Sequence, residues 1–74
     1  MLKAKIKSLL VSKGLKVLDY ADALNIQDQS LSRKLKDDAF TIQDILVLAN
    51  LTESHLCLVA NHDQKVILDF SEAN

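Results

Sequence analysis

The chain has 74 residues, 49% of them hydrophobic and 26% charged, with one Gly, no Pro and one Cys. That composition excludes a disordered or loop-rich segment and an internal disulfide, and so short a chain hardly encloses a catalytic pocket and builds only a marginal core of its own. The net charge of −1 hides a division: residues 1–36 carry eight basic side chains (Lys3, Lys5, Lys7, Lys13, Lys16, Arg33, Lys34, Lys36) against Asp19, Asp22 and Asp28, a balance of +5, whereas residues 37–74 carry Lys65 against seven acidic groups, a balance of −6.

Along 2–13, Leu2, Ile6, Leu9 and Leu10 recur at spacings of three and four with lysines opposite, which predicts an amphipathic helix. Gly14 stands where a left-handed residue usually ends a helix. A second helix over 16–24 is predicted by Val17, Tyr20, Ala21 and Leu24. Asn25 then interrupts the pattern, and Asn tolerates positive φ better than other residues with a Cβ. Leu31 and Leu35 define a third helix over 28–36, with Asp28 at the positive end of its dipole. Thr41 and Asp44 have the spacing of a capping box and open a fourth helix over 42–50, whose expected buried stripe is Ile42, Ile45, Leu46 and Ala49.

After residue 54 the period changes from 3.6 to 2, and 55–60 and 65–70 alternate around a polar turn, which predicts a β-hairpin over 55–70. A three-residue loop, His62 to Gln64, places Leu56, Leu58 and Ala60 on one face with Val66, Leu68 and Phe70. That face is wholly apolar and is expected to lie on the helices. A two-residue loop would bring Lys65 and Asp69 into it at greater cost. The expectation is therefore a single, mainly α domain over 1–74: four helices followed by a C-terminal hairpin.

Ala21, Leu24, Asn25, Ile26, Leu31 and Leu35 carry a resemblance. In this order and spacing they resemble the lambda-repressor/Cro-like (XRE-type) helix-turn-helix family, and Ser32-Arg33-Lys34-Leu35 resembles the continuation of its recognition helix. The spacing has a physical cause: Ala21 is small where a second helix crosses closely, and the aliphatic residues lock the two helices together. With the flanking helices, the resemblance covers residues 2–51, and some members carry a trailing hairpin. Asn25 replaces the usual glycine, Leu18 stands where a phosphate-gripping Gln is common, and Asp28 stands where a neutral residue is more usual.

The resemblance implies that the third helix enters the major groove of double-stranded DNA. Gln29, Ser32 and Arg33, with Asp28 at the leading end, would then read base edges, while Lys16, Lys34 and Lys36 would contact phosphate. For Asp28 a role at the helix terminus competes with base reading. It further implies a small sequence-specific transcriptional regulator of bacterial or phage type, acting as a repressor. The alternative is a protein-interaction module derived from the same fold, such as an antirepressor or an inhibitor of a host factor; Leu18 and Asp28 favour it.

A homodimer is expected through the outer hairpin face, Cys57, Val59 and Ile67, by edge pairing or by packing of that face, with helix 4 as the other possibility. Two recognition helices would then meet successive major grooves about 34 Å apart. No cofactor and no metal are expected: His55, Cys57 and His62 lack ligand spacing, and no glycine-rich phosphate loop or nucleophile with a base suggests an enzyme. The chain shows neither a run of about 18 apolar residues nor a signal sequence, so a cytoplasmic protein without membrane attachment is expected.

Overall fold

Four helices form where the 3.6-residue period is written, and two short strands form where it changes. The computed structural model describes residues 2–70. Helices α1 (Leu2–Ser12), α2 (Val17–Leu24), α3 (Asp28–Asp37) and α4 (Ile42–Leu51) are followed by β1 (Cys57–Val59) and β2 (Val66–Asp69), an antiparallel pair.

The first three helices end for identifiable reasons. After α1, Gly14 adopts φ +71°, a conformation that residues with a Cβ avoid, and the Leu15 N–H donates to the Leu10 carbonyl at 2.8 Å. After α2, Asn25 takes φ 59° and the Ile26 N–H donates to the Ala21 carbonyl at 3.1 Å, so the turn hydrogen-bonds back onto the helix. Asn25→Ala is expected to lower stability by ~1 kcal/mol and Asn25→Gly to leave it nearly unchanged, as read by urea denaturation; equal losses would mean that φ is not the cause. Asp38 ends α3 at φ 51°, and its carboxylate accepts from the Leu2 N–H at 3.0 Å. Asp38 therefore also caps the start of α1. The capping box of α4 forms as expected: Thr41 Oγ1 accepts from the Asp44 N–H at 3.1 Å, and Asp44 Oδ2 accepts from the Thr41 N–H at 3.0 Å.

The core comprises Ile6, Leu10, Tyr20, Ala21, Leu31, Leu35 and Leu48, with Leu9, Val17, Leu24, Ile26, Phe40, Val47 and Leu51 packed around it. Tyr20 is fully buried, and its ring stacks on Phe40 with centroids 6.4 Å apart. The stripe expected on α4 is displaced. Leu48 is the buried residue, Val47 and Leu51 pack beside it, and Ile42 is exposed. Apolar residues occupy most of α4, so its period leaves the rotation open. Polar contacts then select the phase, because the Tyr20 hydroxyl donates to the Asp44 carbonyl at 2.8 Å and Lys34 pairs with the Asp44 carboxylate.

The hairpin departs from expectation in two respects. Its turn takes four residues, 61–64, closed by Ala60 N–H to Lys65 carbonyl at 2.9 Å, with Gln64 at φ 62°. The expected register holds at Cys57↔Asp69 and Leu58↔Leu68, but then Val59 faces Val66, and a bulge absorbs the difference at Ile67. The second departure concerns the apolar face. Leu56, Ala60 and Phe70 are half-buried, but Leu58, Val66 and Leu68 remain 54%, 58% and 48% exposed. The helices pack on one another, α2 on α4 and α3 and α1 on α3, whereas strand packs chiefly on strand. The Cα radius of gyration, 13.1 Å against about 11 Å for a compact domain of this length, is in keeping with a hairpin that stands off the helices.

Candidate nucleic-acid interface

The link from α2 to α3 is three residues, Asn25 to Gln27, and left-handed Asn25 turns the chain sharply there. Ala21, Leu31 and Leu35 are buried and Leu24 and Ile26 pack beside them, so every residue chosen from the sequence as a lock between these helices lies in or against the core. Ala21 is fully inaccessible, as a small residue is at a close helix contact.

Burial of Leu31 and Leu35 turns the rest of α3 outward. Asp28, Gln29, Ser32, Arg33 and Lys36 are all exposed. Gln29, Arg33 and Lys36 follow one another at spacings of four and three and share a stripe; Asp28 and Ser32, four apart, lie on the adjacent row. Asp28 opens the helix and Lys34 and Lys36 stand in its last turn, an order that suits the helix dipole. Gln27, not Asp28, occupies the N-cap position.

Lys34 is placed differently from the other cations. Its Nζ lies 2.9 Å from Asp44 Oδ2 and 3.5 Å from the Ala39 carbonyl oxygen, and its side chain is 28% exposed. It therefore ties α3 to α4 and is turned away from the outward stripe. With Lys34 neutralised by Asp44, Arg33 and Lys36 are balanced by Asp28 and Asp37 along α3 itself. The other exposed cations of the first half are Lys3, Lys5 and Lys7 of α1, Lys13, and Lys16 just before α2. Leu18, beside Lys16, is 54% exposed and offers phosphate no donor.

Behind the stripe, Asp44 is the polar hub. Burial works to raise its pKa, but the Thr41 N–H, the Lys34 ammonium and the Thr41 hydroxyl together outweigh burial and hold the carboxyl below its ordinary value. The Tyr20 hydroxyl is pushed up to about 12, first by burial and then by the negative charge of Asp44, so it remains a donor across the neutral range. Sequence reading identified Asp44 only as a helix cap; its service to Tyr20 and Lys34 has no local signal, since the partners lie 24 and 10 residues away.

The expected interface residues Cys57, Val59 and Ile67 differ in exposure and in place. Cys57 is half-buried, Val59 is exposed, and Ile67 occupies the bulge of the other strand at 68% exposure. A shallow depression lined by Asp22, Asn25, Ile26, Gln27 and Ser30 lies at the α2–α3 link. Among the described residues no cluster of His, Cys, Asp and Glu could hold a metal ion, and no helix is long and apolar enough to cross a membrane. Set against family models, curated proteins and solved structures, the chain finds no match.

Proposed function

We propose that the chain is a lambda-repressor/Cro-like helix-turn-helix domain that binds double-stranded DNA sequence-specifically as a homodimer and represses transcription by occluding a promoter. One observation carries this reading: Gln29, Ser32 and Arg33 stand free on the outer side of α3, while Leu31 and Leu35 fasten its inner side to the core. A rigid helix with an unencumbered polar side is what entry into a major groove requires. In this role Arg33 donates two bonds to a guanine edge and Gln29 bonds an adenine, each contributing on the order of 1–3 kcal/mol of base discrimination. Lys16 and Lys36 bond phosphate and set the register without reading sequence. Lys34 acts indirectly, by holding α3 against α4. Asp28 suits a cytosine amino group or the helix dipole, and phosphate repulsion favours the latter.

Selection of bound fragments from random DNA, followed by titration of the selected site against salt, tests the proposal. Binding should weaken steeply with salt, Arg33→Ala should relax base preference by roughly 10–100-fold, and Lys36→Ala should weaken all sites alike and lower the salt slope by about one. Weak, sequence-blind binding shared by wild type and both variants would refute specific recognition.

A second reading, a protein-interaction module on the same fold, is favoured by the exposure of Leu18 near the start of α2 and by the charge balance along α3. Leu18→Gln separates the two. It should strengthen DNA binding by supplying a phosphate donor, whereas on the second reading it would abolish capture of a stoichiometric protein partner and leave DNA affinity negligible.

A further inference from the structure

Helix α4 is apolar over more of its circumference than the core covers. Its inner side is Asp44, Val47, Leu48 and Leu51: Leu48 is buried, Val47 and Leu51 pack against the core, and Asp44 reaches Tyr20 and Lys34. At about 100° per residue, Ile42, Ile45, Leu46 and Ala49 fall together on another side, a second stripe with the spacing i, i+3, i+4, i+7. Ile42 is 58% exposed, and Ile45, Leu46 and Ala49 are half-buried. None of these four belongs to the core or to the residues packed around it. The helix on which α4 chiefly packs is α2, which meets the inner side through Tyr20. A helix with two apolar sides is ordinarily covered on both.

The chemistry of the second stripe restricts what covers it. Asp44, the one ionisable group of α4, lies on the inner side and is paired with Lys34; the narrow seam between the two apolar sides holds the amides of Gln43 and Asn50. Without a cation the stripe gives phosphate nothing to bind, and without a charge of either sign it meets no repulsion from a stripe like itself. It is also its own complement. Ile42 and Ala49 lie about 5 Å along the helix on either side of the point between Ile45 and Leu46. A two-fold axis through that point sets the bulky Ile42 of each copy against the small Ala49 of the other. Ile45 then meets Ile45 on one flank of the contact and Leu46 meets Leu46 on the other. Gln43 and Asn50 of opposite copies come together along the Leu46 edge, where one amide donates to the other.

We infer that α4 packs antiparallel on α4 of a second copy of this chain, about a two-fold axis between Ile45 and Leu46. This rests on the homodimer of the proposed function and names the surface through which it forms, on a helix and not on the hairpin.

Sedimentation equilibrium of the full chain without DNA tests the contact. Wild type should be a dimer at micromolar concentration. Ile42→Lys and Ala49→Glu each set a charge against an aliphatic group at two symmetric places, and each should weaken self-association by on the order of 100-fold with helical circular dichroism unchanged. Mixed in equal amounts, the two variants should dimerise again. In the mixed pair the introduced ammonium faces the introduced carboxylate at one end, and Ile42 faces Ala49 at the other. Ile67→Lys, on the hairpin, should leave the dimer intact. A monomeric wild type, a dimer that survives Ile42→Lys, dissociation by Ile67→Lys, or variants that stay apart when mixed would overturn the inference. Ile42 and Ile67 are both exposed, so their two variants decide the matter even if Ala49→Glu does not fold. Because no arm uses DNA, failure here leaves the α3 surface in place, and failure of DNA binding leaves the α4 contact in place.

Discussion

Leu31→Ala is expected to remove ~2–5 kcal/mol of stability, most of what a domain of this length possesses. Leu31 is fully inaccessible and sits in the cluster with Ile6, Leu10, Tyr20, Ala21, Leu35 and Leu48. Truncation removes its buried methyl groups and leaves a void that the four packed helices close only in part. Urea denaturation followed by circular dichroism measures the loss. Leu31→Met, which conserves volume, should cost less than about 1.5 kcal/mol. Leu18→Ala, at an exposed position, should fall within about 0.5 kcal/mol of wild type. Similar losses at Leu31 and Leu18 would mean that α3 is not held as described. On the proposed reading, Leu31 presents the outward stripe by anchoring its inner side, so Leu31→Ala should lower any DNA binding through loss of folded protein, not through altered base preference.

Asp44→Ala is expected to cost roughly 2–3 kcal/mol, since one carboxylate serves both the Thr41 N–H of the capping box and the Lys34 ammonium. The pH dependence gives a sharper test. The folded-state pKa of Asp44 lies below its ordinary value, so the native state favours the ionised form and the unfolded chain takes up a proton first as pH falls. Its contribution is therefore complete above the ordinary carboxylate range, about pH 4, and fades as pH falls toward and through the depressed value. The difference between wild type and Asp44→Ala should be full near neutrality and shrink in acid. Asp44→Asn keeps an acceptor for Thr41 but no charge for Lys34, so it should show an intermediate loss. A difference that stays constant down to about pH 2 would show that the ion pair contributes nothing. Tyr20 acts at the other end of the scale. Its pKa is raised to about 12, so the stability from its buried neutral hydroxyl is complete below about pH 10 and is lost as pH rises through the folded value.

The helices were legible because each carries its own local signals. Ile6 with Leu10 and Leu31 with Leu35 mark faces four residues apart; Gly14, Asn25 and the Thr41–Asp44 box mark ends. These are interactions between near neighbours, and near neighbours are what a sequence displays. The exposure of Gln29, Ser32 and Arg33 follows from the same logic, since a helix that buries Leu31 and Leu35 must turn those residues out.

The rotation of α4, the inward turn of Lys34 and the service of Asp38 to α1 were not legible. Each depends on groups brought together only by folding: the Tyr20 hydroxyl with Asp44, Lys34 with Asp44, and Leu2 with Asp38, separated by 24, 10 and 36 residues. The hairpin divides the same way. Alternation of apolar residues announced the strands and their outer register, whereas the left-handed Gln64, the bulge at Ile67 and the distance of Leu58 and Leu68 from the helices were decided by turn geometry and by how much core the four helices fill among themselves. Periodicity says which residues share a face; only packing says whether anything lies against that face.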